Sequence, residues 1–118
     1  MIRKSDDLDN KIEEDKFLNI VKLKGYITRK PEIKKTKSGI SVSTFTLAVK
    51  RNYKNMDGNY DYDYINVILW RELAEKACKL DERTFVVVSG SIQTRTYTTE
   101  NNERRYVTEV YCKDLEVQ

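Results

Sequence analysis

The chemistry open to this chain lies in tyrosines interleaved with cations. Tyr53 stands between Arg51 and Lys54, Arg95 is two residues from Tyr97, and Tyr60, Tyr62 and Tyr64 take every second place of YDYDYINVILW. An aromatic face can stack an unpaired base, worth ~1–3 kcal/mol, and a neighbouring Lys or Arg can hold phosphate. Bond-making chemistry lacks its usual equipment. With no histidine, the commonest general base, the usual metal ligand and every histidine-dependent triad are missing. Cys78 and Cys112, 34 residues apart, make neither a zinc motif nor a disulfide framework, and read as small buried residues in a reducing cytoplasm. Four well-separated glycines form no P-loop or dinucleotide fingerprint. Asp61 and Asp63 resemble half a metal site, but no third ligand follows at calcium-loop spacing, so they read as a solvated strand end. The expectation is a binding protein: no enzyme, no cofactor, no metal.

Alternate residues of a strand share a face. Tyr60, Tyr62, Tyr64, Asn66, Ile68 and Trp70 therefore lie on one side, and Ile65, Val67 and Leu69 form an aliphatic face that predicts core. Two readings fit aromatics on the outside of a small β-protein. One is a protein–protein surface, where Tyr and Trp are enriched; the other is a platform for unpaired bases. Charge favours the second. Residues 1–16 carry six acids against four bases, whereas Lys22 to Lys54 holds ten Lys or Arg against Glu32 alone. Arg29, Lys34, Lys50, Arg51, Lys54, Arg71 and Arg95 are the candidate phosphate partners. Duplex readers usually offer a helix to the major groove, and here the aromatics fall on strands and loops instead.

The elements that must position these residues follow from pattern. At 118 residues with 39% hydrophobics, the chain has material for one domain with a modest core. No run approaches the ~20 apolar residues of a membrane span, and the polar start has no secretory core. Residues 1–16 read as an acidic, flexible extension and 17–118 as the folded domain. FLNIVKLKGYIT is a β-run with a bulge or bend at Gly25, closed by Pro31. EIKKTKSGISV turns at Lys37-Ser38-Gly39, and the long strand ISVSTFTLAVKR keeps Phe45, Leu47 and Val49 on one face. After the Asp57-Gly58 turn come the Tyr60–Trp70 strand, one helix in RELAEKACKL, and two strands around the polar loop TTENNE, with Gly90 as another bend. Three strands, a helix and two strands, with glycine bends, is the OB-fold arrangement. The expected class is all-β: a five-stranded barrel with one helix between strands 3 and 4.

The succession LKGYITRKPEIKKTKSGISVSTFTLAVKRNY, DYINVILWRELAE and GSIQTRTYTTENNERRYVTEV resembles the bacterial single-stranded DNA-binding protein family over nearly all of 17–118. The motifs are individually loose; their order and spacing are specific together. The resemblance implies base stacking at Tyr53, Tyr64, Trp70 and Tyr97. It also implies a homotetramer (a dimer being conceivable) that wraps single-stranded DNA in replication, repair and recombination in the cytoplasm. It does not reach Tyr60 and Tyr62, whose role rests on periodicity. Departures from the family pattern are Lys30 for the usual Asp before Pro-Glu, and Glu82-Arg83 for the usual Lys-Gly before the fourth strand. The chain stops at Gln118, without the family's linker and acidic tip, so tail-mediated recruitment of partners is in doubt. Instead it carries the acidic N-terminal extension. Alternative readings are a primosome-type or phage or mobile-element accessory OB-fold protein, and a pure protein-interaction module.

Overall fold

The computed structural model describes residues 16–118, so all but the last residue of the expected acidic extension lies outside the described residues. Six strands and one helix follow in order: β1 (Val21–Ile27), β2 (Glu32–Lys35), β3 (Ser41–Lys54), β4 (Tyr60–Trp70), α1 (Glu72–Ala77), β5 (Phe85–Thr98) and β6 (Arg104–Val117). The sheet runs β1-β5-β6-β4-β3-β2, and Tyr26–Ala48 and Ile27–Leu47 pairing joins β3 back to β1. That closes a five-stranded barrel, with β2 added as an edge strand on β3. Only β4 and β6 run parallel, through Val67–Val110 and Ile68–Tyr111. This is the OB-fold. Its helix was expected between strands 3 and 4; in chain order it stands between β4 and β5, because Glu32–Lys35 pairs as a strand of its own. Counted among the barrel strands alone, it still follows the third.

Alternation builds the core. Leu47 of β3, Val67 and Leu69 of β4, and Val86 and Val88 of β5 point inward and are fully buried. On β6 the inward residues are Val110, Cys112 and Leu115, which breaks the period of two. The reason is a bulge: Ser89 faces Asp114 while Gly90 faces Cys112, leaving Lys113 as the extra residue that turns Leu115 inward. A Cβ on Gly90 would stand 1.9 Å from the Tyr111 carbonyl oxygen, so only glycine lets β6 approach there. Gly25 was expected to mark a bulge or bend. Its pairing with β5 continues unshifted, and the constraint is again approach, since a Cβ would lie 2.1 Å from the Ala48 carbonyl oxygen. At this point β1 leaves its exclusive pairing with β5 and begins to pair with β3 as well.

The helix is shorter than the ten-residue segment that predicted it. Ala74 and Ala77 enter the core, Leu73 and Leu80 pack beside them, and the Lys76 ammonium donates to the Leu115 carbonyl. Cys112 is buried as expected, and desolvation pushes its thiol up to about 11. Cys78 is only half-buried, a correction to the reading of both cysteines as interior. It follows the last helical turn, and its Sγ donates to the Glu75 carbonyl. Between helix and β5, Arg83 takes φ 66°, a left-handed conformation that costs an L-residue ~1–2 kcal/mol. Its N–H donates to the Ile27 carbonyl at 2.6 Å, which holds it there. The Glu82-Arg83 departure therefore retains a backbone shape suited to glycine.

Candidate nucleic-acid interface

On β3 the residues between the core positions face outward, and register sets their neighbours on β4: Val42 beside Trp70, Thr44 beside Ile68, Thr46 beside Asn66, Ala48 beside Tyr64, Lys50 beside Tyr62. The aromatic face expected for β4 is thus outside the barrel, with Tyr64 64% exposed. Two structures wall this face. The β1–β2 connection brings Arg29 and Lys30 to one side, and the β5–β6 hairpin brings Arg95 and Tyr97 to the other. Together they form an open groove of about 870 Å³ floored by Thr44, Thr46, Tyr64 and Asn66. In an OB-fold this face, with its two flanking connections, is where an oligonucleotide fits.

Polar groups hold the groove in shape. The Thr28 hydroxyl donates to the Thr46 carbonyl at 3.1 Å, and the Thr46 hydroxyl donates to Asn66 Oδ1 at 3.3 Å. Arg95 Nε donates to Glu109 Oε1 at 2.9 Å, and the Glu109 side chain is only 8% exposed. A buried carboxylate so placed fixes the guanidinium, whose centre lies 6.0 Å from the Tyr97 ring. Lys30 turns partly away: its ammonium donates to the Leu80 carbonyl and to Asp81, each at 3.3 Å. Among the groove's cations, Arg29 has no ion pair within the described residues.

The eleven residues singled out in the sequence do not all meet. Tyr64, Tyr97, Arg29 and Arg95 line the one groove. Tyr53, Lys50, Arg51 and Lys54 belong to the β3–β4 arm, where the register shifts between Lys50 and Lys54. Tyr53 is 59% exposed there. Lys50 stands 4.5 Å from the Tyr60 ring centre and Lys54 5.9 Å, so aromatics and cations interleave in space as they do in sequence. Arg51 is committed elsewhere. It forms a two-pronged pair with Asp63 at 2.9 and 3.0 Å, which holds the guanidinium charged and the carboxyl below its ordinary range. This pair also accounts for Asp63 better than a solvated strand end does. At the opposite end of the face, Lys34, Val42 and Trp70 form one row across β2, β3 and β4. Trp70 is half-buried, and Arg71 lines a separate depression with Lys35, Glu72 and Glu75.

Two features of the site, and one pair of rings outside the groove, escaped the sequence reading. Thr44 and Thr46 as groove floor were readable from their alternation with Phe45 and Leu47. Glu109 carried no signal, since its pairing with Arg95 needs the β5–β6 register that puts Gln93 opposite Glu109. Tyr26 and Phe85 gave none either, and meet only because β1 pairs with β5.

Comparison with known proteins places this geometry. The model of the single-strand binding protein family matches residues 18–118. The chain is similar to proteins named single-stranded DNA-binding protein from Enterococcus faecalis, 42% identical over 102 residues (86% of this chain, 54% of that protein), and from Streptococcus mutans, 41% identical over 102 residues (86% and 62%). Single-stranded DNA-binding protein 1 of Streptococcus pyogenes is 38% identical over 102 residues, 86% of this chain and 78% of that protein. The chain thus spans about half to two-thirds of the length of the first two relatives. With the family model covering the whole barrel and its hairpin, the chain belongs to the single-strand binding protein family.

Proposed function

We propose that the chain binds single-stranded DNA, without catalysis and largely without regard to sequence. The observation that carries this is the groove in which exposed Tyr64 and Tyr97 stand among Arg29 and Arg95. Bases stack on the tyrosines, and cations at the rim take the phosphates. Tyr53, Lys50 and Lys54 on the arm extend the track at one end, and Trp70 with Lys34 and Arg71 at the other. Arg51 supports the arm through Asp63 rather than offering its whole charge to DNA. The role that fits is protection of single strands in replication, recombination and repair, in the cytoplasm. Among the described residues no helix is long and apolar enough to cross a membrane.

Assembly as a homotetramer is part of the same proposal. From Val21 to Lys24, β1 pairs only with β5 and leaves its other edge open. Just before it, Phe17, Leu18 and Ile20 are 73–83% exposed, while the Asn19 amide pins the segment to the Ile92 backbone at 2.7 and 2.8 Å. A held segment showing three large apolar side chains suits subunit packing.

Titration with oligo-dT, followed through the single tryptophan, tests the binding. Quenching of Trp70, steep weakening with salt and much weaker binding of duplex are expected. Equal affinity for duplex and single strand overturns the proposal. Light scattering tests assembly, and a strict monomer at micromolar concentration refutes it.

A further inference from the structure

Among the described residues, Glu109 is the one charged side chain that the fold buries. It lies in the wall of the groove assigned above to a polyanion. An acid is costly there on two counts, because burial strips its water and its charge repels phosphate. Nor does a buried ion pair explain itself by stability, since apolar side chains of similar volume often serve as well or better. The partner of Glu109 accounts for its presence.

Register puts Arg95 opposite Val107, so Glu109, two residues along β6, is its diagonal neighbour on the same face. Tyr97 shares that face two residues along β5 and also lines the groove. The contact uses Arg95 Nε alone, which donates to Glu109 Oε1 at 2.9 Å. A guanidinium has five N–H donors, so four remain on the two Nη nitrogens, in a planar fork that matches two phosphate oxygens. The Arg95 side chain is 52% exposed and that of Glu109 8%, so the pair is anchored at its acid end and open at its basic end. Arg51 shows the contrasting arrangement: Asp63 takes both its Nε and Nη2, and both side chains are partly exposed. That pair closes on itself, whereas the Glu109 pair leaves its cation available.

We propose that Glu109 is a positioning residue for DNA binding: it holds the Arg95 guanidinium beside Tyr97, so that the Nη fork meets the phosphate next to the base stacked on that ring. An acid in the groove thereby strengthens the binding of an anion. Arginine has some of the largest rotamer freedom of any side chain. Fixing it before DNA arrives removes part of that loss from the binding step, worth about three- to tenfold in affinity. The assignment rests on the single-strand reading above.

The test compares Glu109→Gln with Glu109→Met, each alone and combined with Arg95→Ala, by oligo-dT titration of Trp70 emission. Both substitutions keep the length of the side chain and remove the same charge, but only glutamine keeps an oxygen to accept from Arg95 Nε. Glu109→Met is expected to bind about three- to tenfold more weakly than Glu109→Gln, and more weakly than the unaltered chain, although its groove has one acid fewer. With Arg95→Ala in place the two should agree within about twofold. Glu109→Met binding as tightly as the unaltered chain or Glu109→Gln overturns the proposal and leaves the groove reading intact. A difference that survives Arg95→Ala also overturns it, since Glu109 then acts through the fold. Nitrogen NMR of the arginine side chains decides the matter without a buried substitution, should the methionine variant fail to fold. The Arg95 Nε–H signal, assigned by its absence from Arg95→Lys, should be protected from exchange in the free chain and persist with oligo-dT bound; its loss on binding overturns the proposal. Failure of the unaltered chain to bind oligo-dT overturns the single-strand reading and the positioning role with it.

Discussion

Stacking and charge can be separated at Tyr64 and Arg29, which line the same groove by different chemistry. Tyr64 is 64% exposed on the outer face, so truncation to alanine removes little packing and should change stability by under about 1 kcal/mol. The loss falls on binding. One stacked base is worth ~1–3 kcal/mol, which weakens the complex by about 5- to 150-fold. No charge is removed, so the dependence on salt should be unchanged. Arg29→Ala should behave conversely. For single strands the logarithmic salt slope is about −0.7 per phosphate contact, so losing one should flatten it by ~0.7, with a penalty that shrinks as salt rises. The assay is fluorescence titration with oligo-dT at four or five salt concentrations, with thermal unfolding of both variants at one protein concentration. A Tyr64→Ala variant that flattens the slope, or that binds as tightly as the unaltered chain, refutes the assignment of stacking to this ring.

Arg83 sits at φ 66°, so Arg83→Gly should relieve ~1–2 kcal/mol of backbone cost, less ~0.4–1 kcal/mol for greater freedom of the unfolded chain, and raise the unfolding midpoint by a few degrees. Arg83→Ala keeps the strain and should not stabilise; equal stability of the two variants in urea would show that backbone shape is not the cause. Iodoacetamide at pH 8 should modify half-buried Cys78 and spare buried Cys112 until the chain unfolds, as mass spectrometry can read. Because the Cys112 thiol is raised from 9.0 to about 11, its contribution to stability should be constant below pH 9 and decline from there towards 11, as the unfolded state ionises first. The Cys112→Ala variant should lose that part of the decline. Deleting residues 1–16, which carry six acids against four bases, should tighten oligo-dT binding at low salt and have no effect at high salt; loss of binding would contradict a purely electrostatic role.

Much of this protein was legible in one dimension because strand alternation is a local property. Ile65, Val67 and Leu69 announced an inner face of β4, and Tyr60, Tyr62 and Tyr64 an outer one, since neighbouring side chains of a strand must point apart. The positions of Gly25 and Gly90 were equally plain, though the reason for glycine was not. Both are places where another strand's carbonyl comes too close for a Cβ, and the partner carbonyl is 23 residues away in one case and 21 in the other. Register decided the rest. It placed Glu109 against Arg95, took Arg51 for Asp63, and made Glu32–Lys35 a strand of its own. It also brought Tyr26, Phe85 and Tyr62 together from three separate strands. Which side of a strand a residue faces is written in the chain itself. Which residues share that side is settled only when the barrel closes, because closure sets the pairing of β1 with both β3 and β5.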